Sequence, residues 1–207
     1  MFEGDSSIAA VGRLSAGFTL VELLVVMVVG AILLAIAVPS LQGLFAANQL
    51  TALTDTFATS LSEARSEASK FGVPVAMVTT GGTNWGAGWT MFVDTNANGQ
   101  QDAGQTPPEI TLRSGSAMPT SYTMAANGAS AGGFSGVFWF DATGRLLNNA
   151  GGTPAASAQF QICQGGGPPN GRARLITVSP SGRVRIAQNN ASGQPLDDNN
   201  NAVTTCP

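Results

Sequence analysis

Residues 18–38 form one apolar run in which Glu22 is the only charge. Its length matches the roughly 20 residues a helix needs to cross a bilayer. A carboxylate inside such a run costs roughly 2.5–3.5 kcal/mol at the bilayer centre and less towards an end, so Glu22 asks for a partner. Pro39 follows, and a proline inside a helix kinks it without necessarily ending it. The helical period then resumes. Leu50, Leu53, Phe57, Leu61, Ala64, Ala68 and Phe71 recur at three- and four-residue steps and draw one apolar stripe. Glu63, Arg65, Glu67 and Lys70 lie off that stripe, and Glu67 stands three residues before Lys70, a favourable helical spacing. Gly72-Val73-Pro74 stops the helix. The pattern predicts one helix of about fifty residues, uniformly apolar in its first half and amphipathic in its second.

Beyond residue 72 the period shortens. Residues 73–79, 89–93, 109–113, 134–140, 159–163, 175–179 and 184–187 are short β-branched or aromatic runs bounded by Gly, Pro, Asn and Asp. The second half of the helix must bury its stripe, and an antiparallel sheet is the available partner. The fold class expected is therefore α+β, with one long N-terminal helix packed on an antiparallel β-sheet domain. Four segments follow: a leader over 1–17, a transmembrane helix over 18–38, its amphipathic continuation over 39–71 and a β-rich globular domain over 72–207. Arg13 is the leader's only base, offset by Glu3 and Asp5.

Composition narrows the setting. Only 10% of the 207 residues are charged and 26 are glycine, which suits a turn-rich, surface-exposed fold. There is no histidine, so the commonest acid–base and metal-binding side chain is missing. The serines have no base of the usual kind, and the carboxylates form no paired motif. Neither an enzyme nor a cofactor or metal site is expected. Cys163 and Cys206 both lie downstream of the membrane run. In an extracytoplasmic domain such a pair reads as one disulfide tying the tail to a strand, with two unlinked thiols as the alternative. The closure is worth roughly 3 kcal/mol.

Asp94, Asn96, Asn98, Gly99 and Asp102 stand at a spacing that echoes the start of a calcium loop. Gln105 stands where the bidentate Glu belongs. The competing reading is a polar hairpin whose Asx side chains bond their own backbone.

The net charge is −3, yet no acid lies between Asp141 and Asp197, a span holding Arg145, Arg172, Arg174, Arg183 and Arg185 of the nine basic residues. Gly171-Arg172-Ala173-Arg174 and Gly182-Arg183-Val184-Arg185 repeat one pattern. A three-residue loop Pro180-Ser181-Gly182, with glycine left-handed, would pair Val178 with Val184 and Ile176 with Ile186. Arg183 and Arg185 then share the other face with Ser179 and Thr177, in an acid-free setting. Guanidinium forks at strand spacing suit phosphate oxygens, and solvated surface charge is the plainer alternative.

A polar leader, Gly17, then Phe18-Thr19-Leu20-Val21-Glu22 and a Val/Leu/Ile run resembles the type IV prepilin signature. The resemblance implies cleavage between Gly17 and Phe18 by a prepilin peptidase, N-methylation of Phe18, and pairing of Glu22 with a neighbouring subunit's terminal amine during assembly. Gly88-Trp89-Thr90-Met91-Phe92-Val93-Asp94-Thr95-Asn96-Ala97-Asn98-Gly99 resembles a segment of the GspH/FimT family of minor pilins and pseudopilins. Phe140-Asp141-Ala142-Thr143-Gly144-Arg145 and Ser181-Gly182-Arg183-Val184-Arg185 resemble later segments of that family. Only the Asn-rich tail after Ala187 goes unmatched.

The resemblance implies a minor pilin held in the bacterial inner membrane by a single pass, with its C-terminal domain periplasmic, and then built into a filament or its tip beside other pilins. In the FimT-like branch a Gly-Arg-x-Arg motif is implicated in binding DNA for natural transformation. Gly182, Arg183 and Arg185 match it, and Arg172 and Arg174 share its spelling. The expected partner is then DNA, without sequence specificity. Two alternatives stand: a structural minor pseudopilin of a type II secretion system, and a minor pilin that primes pilus assembly without binding DNA.

Overall fold

The computed structural model describes residues 17–126, 134, 136–147, 154–166 and 170–207. The expected leader, apart from Gly17, lies outside them. The described chain divides into two compact units, one ending at Gly43 and one beginning at Leu44. Helix α1, Leu20–Phe71, carries Pro39 in its interior and contributes to both.

In the first unit the helix is almost wholly exposed among the described residues. Large apolar side chains stay exposed along it, including Leu20, Val25, Ile32 and Ile36, and Phe18 just ahead of it is 84% exposed. By length and composition this helix is sufficient to cross a membrane. It begins at Leu20 because Thr19 caps it. The Thr19 Oγ1 accepts the Glu22 backbone N–H at 3.1 Å, and the Thr19 carbonyl accepts that of Leu23 at 3.2 Å. Thr19-x-x-Glu22 is the residue order of a capping box. Phe18 therefore lies outside the helix that the apolar run alone would start with it.

In the second unit the stripe is buried. Leu50, Phe57, Leu61, Ala64 and Ala68 are inside, with Leu53 packed against them. Thr54 and Ser60 are buried too, which an apolar-stripe argument misses. Each satisfies its hydroxyl on the carbonyl one turn back, Thr54 on Leu50 at 2.7 Å and Ser60 on Thr56 at 2.9 Å. Glu67 pairs with Lys70 at 3.1 Å, as their spacing predicts. Gly72, at φ +69°, ends the helix, and its N–H returns to Ala68.

Where one sheet is expected, two antiparallel sheets form. The strands are β1 Val75–Thr79, β2 Trp89–Val93, β3 Thr111–Gly115, β4 Tyr122–Ala126, β5 Val137–Phe140, β6 Leu146–Leu147, β7 Ala158–Gln164, β8 Ala173–Val178 and β9 Val184–Ile186. They are ordered β3-β2-β1-β5-β6 and β4-β7-β8-β9. Strand β3 begins later than its residue pattern suggests. Glu109 is drawn back instead, accepting the N–H groups of Thr95 and Asp102.

Both sheets contribute to one core against the helix, through Met77, Met91, Phe138 and Phe140 from the first and Met124, Phe160, Ile162, Ile176 and Val178 from the second. Phe57 is its centre, edge-on to Trp85, Trp89 and Phe160 at 5.9, 6.1 and 5.2 Å. The far face of the first sheet carries a smaller cluster of Ala76, Phe92, Trp139 and Leu147. The far face of the second carries Gln159, Gln161 and Thr177 beside the buried Cys163, Ala173 and Leu175, and it meets the C-terminal tail through the Gln161–Thr205 and Gln159–Asp198 hydrogen bonds.

Candidate functional site

The β8–β9 hairpin forms with the register its sequence predicts. Val178 pairs with Val184, Thr177 with Arg185 and Ile176 with Ile186. Gly182 sits at φ +75°, its N–H on the Ser179 carbonyl at 2.8 Å. Strand pleating then sorts the side chains. Ile176 and Val178 enter the core and Val184 packs against it. Thr177, Arg183 and Arg185 take the outer face, where both arginines are exposed.

Gly182 has a second constraint besides its left-handed backbone. A Cβ there would overlap the Gly144 carbonyl, an atom that already accepts the Arg65 Nε at 3.2 Å. The Leu146 N–H donates to the Pro180 carbonyl at 3.1 Å. The hairpin tip is thus seated on the 141–145 turn and on the helix. That turn is held by the Asp141 carboxylate, which accepts the N–H groups of Thr143 and Arg145 and the Thr143 hydroxyl at 2.6–2.9 Å. Burial pushes the Asp141 carboxyl upward, but these bonds and the Arg145 charge more than offset it and hold it below the usual value of 3.8. Gly182 thus seats the tip of the arginine strand.

The other Gly-Arg-x-Arg segment lies elsewhere. Arg174 pairs with Ile162, a core residue, and so falls on the helix-facing side of the sheet. Its Nη1 donates to the Ala173 carbonyl at 2.9 Å. Arg172 is exposed at the start of the same strand. The structure does not bring Arg172 and Arg174 together with Arg183 and Arg185.

The setting of Arg183 and Arg185 is also not acid-free. The tail returns across the outer face and is pinned there by the Cys163–Cys206 disulfide, whose Cα atoms are 5.9 Å apart. The Gln161 Nε2 donates to the Thr205 carbonyl at 2.8 Å beside it. The tail so held places Asp198 on Arg185, with Nη2 to Oδ1 at 2.9 Å. Asp198 lies past the acid-free span in sequence, and only the folded tail returns it. The turn around it is built by Asp197, whose carboxylate accepts the N–H groups of Asn199 and Asn201. Those bonds, that from Asn201 first, hold the Asp197 carboxyl below its usual 3.8.

Between hairpin and tail lies a concave pocket of about 490 Å³, walled by Ser157, Thr177, Ser179, Arg183, Arg185 and Asp198 among others. Two guanidinium groups and three hydroxyls facing one hollow can bind an oxyanion. Sequence reasoning missed Ser157, Asp198 and the supporting Arg65. The cysteine pair was the signal that could have found Asp198, because it fixes where the tail must run.

The remaining expected residues lie apart from this pocket. Gly17 and Phe18 precede the helix, and Glu22 sits exposed in its first turn. In the 94–102 loop Asp94 is fully buried, accepting Trp139 Nε1 at 2.6 Å and the N–H groups of Gly99 and Asn98 at 2.7 and 3.1 Å. Asp102 accepts the side-chain amides of Asn96 and Asn98. The loop's carboxylates are thus engaged by its own N–H groups and by Trp139, the polar-hairpin arrangement.

Comparison with known proteins agrees with this architecture. The FimU type IV minor pilin of Pseudomonas aeruginosa aligns in one crystal form with TM-score 0.52 and 23% identity, over 72% of this chain and 92% of that one. A second crystal form gives 0.50 and 23%, over 70% and 96%. The minor pseudopilin EpsH of the Vibrio cholerae Type 2 Secretion System aligns at 0.42 and 14%, over 67% and 95%. A search of curated protein sequences returns no significant match. The prokaryotic N-terminal methylation motif matches residues 12–38. A second family model, described as type II transport protein GspH, matches residues 53–182, from the buried half of the helix to the turn ahead of Arg183. That match covers more than half of the residues, and on it the chain belongs to the GspH family of type II transport proteins.

Proposed function

We propose that the protein is a membrane-anchored minor pilin that binds DNA, without sequence preference, through Arg183 and Arg185. The observation that carries this reading is the hairpin. It sets both guanidinium groups on one exposed face over a hydroxyl-walled pocket, on a strand whose tip is fixed by Gly182, Gly144 and Arg65. Contacts of this kind reach phosphate oxygens and carry little base information. One domain then binds weakly, and repetition of the subunit along or at the tip of a filament supplies useful capture.

Processing and assembly belong to the same reading. Cleavage after Gly17 leaves Phe18 as an exposed N-terminus just ahead of the Thr19 cap. Its amine on one subunit would neutralise Glu22 on the next, relieving the desolvation of a lone carboxylate in lipid. Intact mass from a pilus-forming host and filament incorporation of Glu22→Ala test these two steps. A start other than Phe18, or normal incorporation of that variant, would remove them.

A gel shift with the full chain in neutral detergent tests DNA binding. Retention on duplex DNA should fall with salt at a log–log slope of about −0.9 per neutralised phosphate. Replacing both arginines with Gln should abolish it at unchanged thermal stability. A parent that gives no shift at low salt sinks the reading. One finding favours a second reading, a structural pseudopilin of a type II secretion system: Asp198 already occupies Arg185, as a plain surface ion pair would.

A further inference from the structure

The outer face of the second sheet carries a continuous row of polar side chains. Gln159 on β7 stands opposite Thr177 on β8, and Thr177 stands opposite Arg185 on β9. Gln159 and Thr177 are only 8% and 3% exposed. The Arg185 Nε donates to the Thr177 Oγ1 at 3.4 Å. Asp198 lies at the two ends of this row. Its Oδ1 accepts Arg185 Nη2 at 2.9 Å and its Oδ2 accepts Gln159 Nε2 at 3.3 Å. One carboxylate, spanning three strands, thus takes up donors that two phosphate oxygens could take instead.

The neighbouring row differs. Arg183 stands beside Ser179, whose Oγ accepts the Arg183 N–H at 3.1 Å and lies 2.9 Å from the Ser181 Oγ. Among the described residues Arg183 makes no ion pair. Both rows open on the same pocket. One holds a carboxylate and the other is open.

We propose that Asp198 is a built-in occupant of an oxyanion site formed by Gln159, Thr177 and Arg185, which an incoming phosphate group displaces after first meeting Arg183. The proposal rests on the phosphate-binding reading above and adds its regulation. The tail sets the affinity, because each bound phosphate must break the Asp198–Arg185 pair. The side chains of that pair are 57% and 34% exposed for Arg185 and Asp198, so exchange with a mobile anion is open to solvent. An exposed pair of this kind is weak enough to be displaced and strong enough to be measured.

The test uses the full chain in neutral detergent micelles and two probes, inorganic tripolyphosphate and a short duplex DNA oligonucleotide. Asp198→Asn keeps the side-chain shape and removes the competing charge. It should tighten tripolyphosphate binding about two- to fivefold, the range expected for an exposed ion pair. Glu67→Gln makes the same charge change on the helix and should leave affinity as in the parent. Adding Arg185→Gln to Asp198→Asn should erase the gain. Equal affinity of the parent and Asp198→Asn for tripolyphosphate would overturn the proposal, as would an equal gain from Glu67→Gln. A gain for tripolyphosphate with no oligonucleotide binding by either protein would keep the displaceable occupant and remove the DNA reading.

Discussion

Two segments of the chain share a spelling and little else. Gly171-Arg172-Ala173-Arg174 opens β8, and Gly182-Arg183-Val184-Arg185 opens β9. Both glycines are left-handed, at φ +72° and +75°. A Cβ on Gly171 would meet nothing within 4 Å, whereas one on Gly182 would enter the Gly144 carbonyl. Arg174 falls on the helix-facing side of the sheet and spends a donor on a backbone carbonyl. Arg183 and Arg185 fall on the far side, over a pocket shared with the tail. Strand parity and the seating of one glycine separate a surface charge from a candidate binding site.

The glycines give the largest expected effect. Gly182→Ala must strain the backbone and also part the hairpin from the 141–145 turn, at about 2–4 kcal/mol. Gly171→Ala meets only the left-handed strain, about 1–2 kcal/mol. Chemical denaturation of the two variants checks the difference, and equal losses would deny Gly182 its seat.

A smaller effect comes from pH. The Asp141 carboxyl is held below 3.8 in the folded protein, so the unfolded chain binds its proton first as pH falls. Its contribution is fully present above the unfolded value and is lost as pH falls through the folded one. The turn under Gly182 should therefore loosen in acid. Asp141→Asn should flatten that part of the stability–pH curve, while Gly171→Ala should leave its shape unchanged. Asp197, held down in the same way, keeps a residual acid limb, so a limb as steep in Asp141→Asn as in the parent would contradict this.

Much of this was legible in the sequence, for reasons that differ by element. The helix was read through Phe71 because its stripe is regular and Gly72 stops it. The β8–β9 register was read because the loop chemistry of Pro180-Ser181-Gly182 admits one pairing. The disulfide was read from the cysteine count. Strands β4 and β6 were not. Tyr122-Thr123-Met124-Ala125-Ala126 has few β-branched residues and becomes a strand by pairing with β7. Leu146 and Leu147 are too short a run to signal anything and become a strand by pairing with Phe140 and Trp139, with Leu147 also bridging Pro154. The division into two sheets rests on such pairings and has no local mark.

The candidate site was half legible. The facing of Arg183 and Arg185 followed from parity, but their freedom from acid did not survive folding. Asp198 stands 13 residues beyond Arg185 in a stretch that reads as polar tail. The closure from Cys163 to Cys206, with the Gln161–Thr205 and Gln159–Asp198 hydrogen bonds, lays it across the hairpin. Residue-by-residue charge counting cannot see a counter-ion delivered by a cross-link.

The most direct test compares the two arginine pairs in one experiment. DNA retention is measured by gel shift at low salt for the full chain, for Arg172→Gln with Arg174→Gln, and for Arg183→Gln with Arg185→Gln. Each double variant removes the same charge. The β9 variant should lose retention, and the β8 variant should keep most of it, because only the β9 arginines share an outward face over a hydroxyl-walled pocket. Equal loss from both variants, or a β9 variant that binds like the parent, would contradict the account.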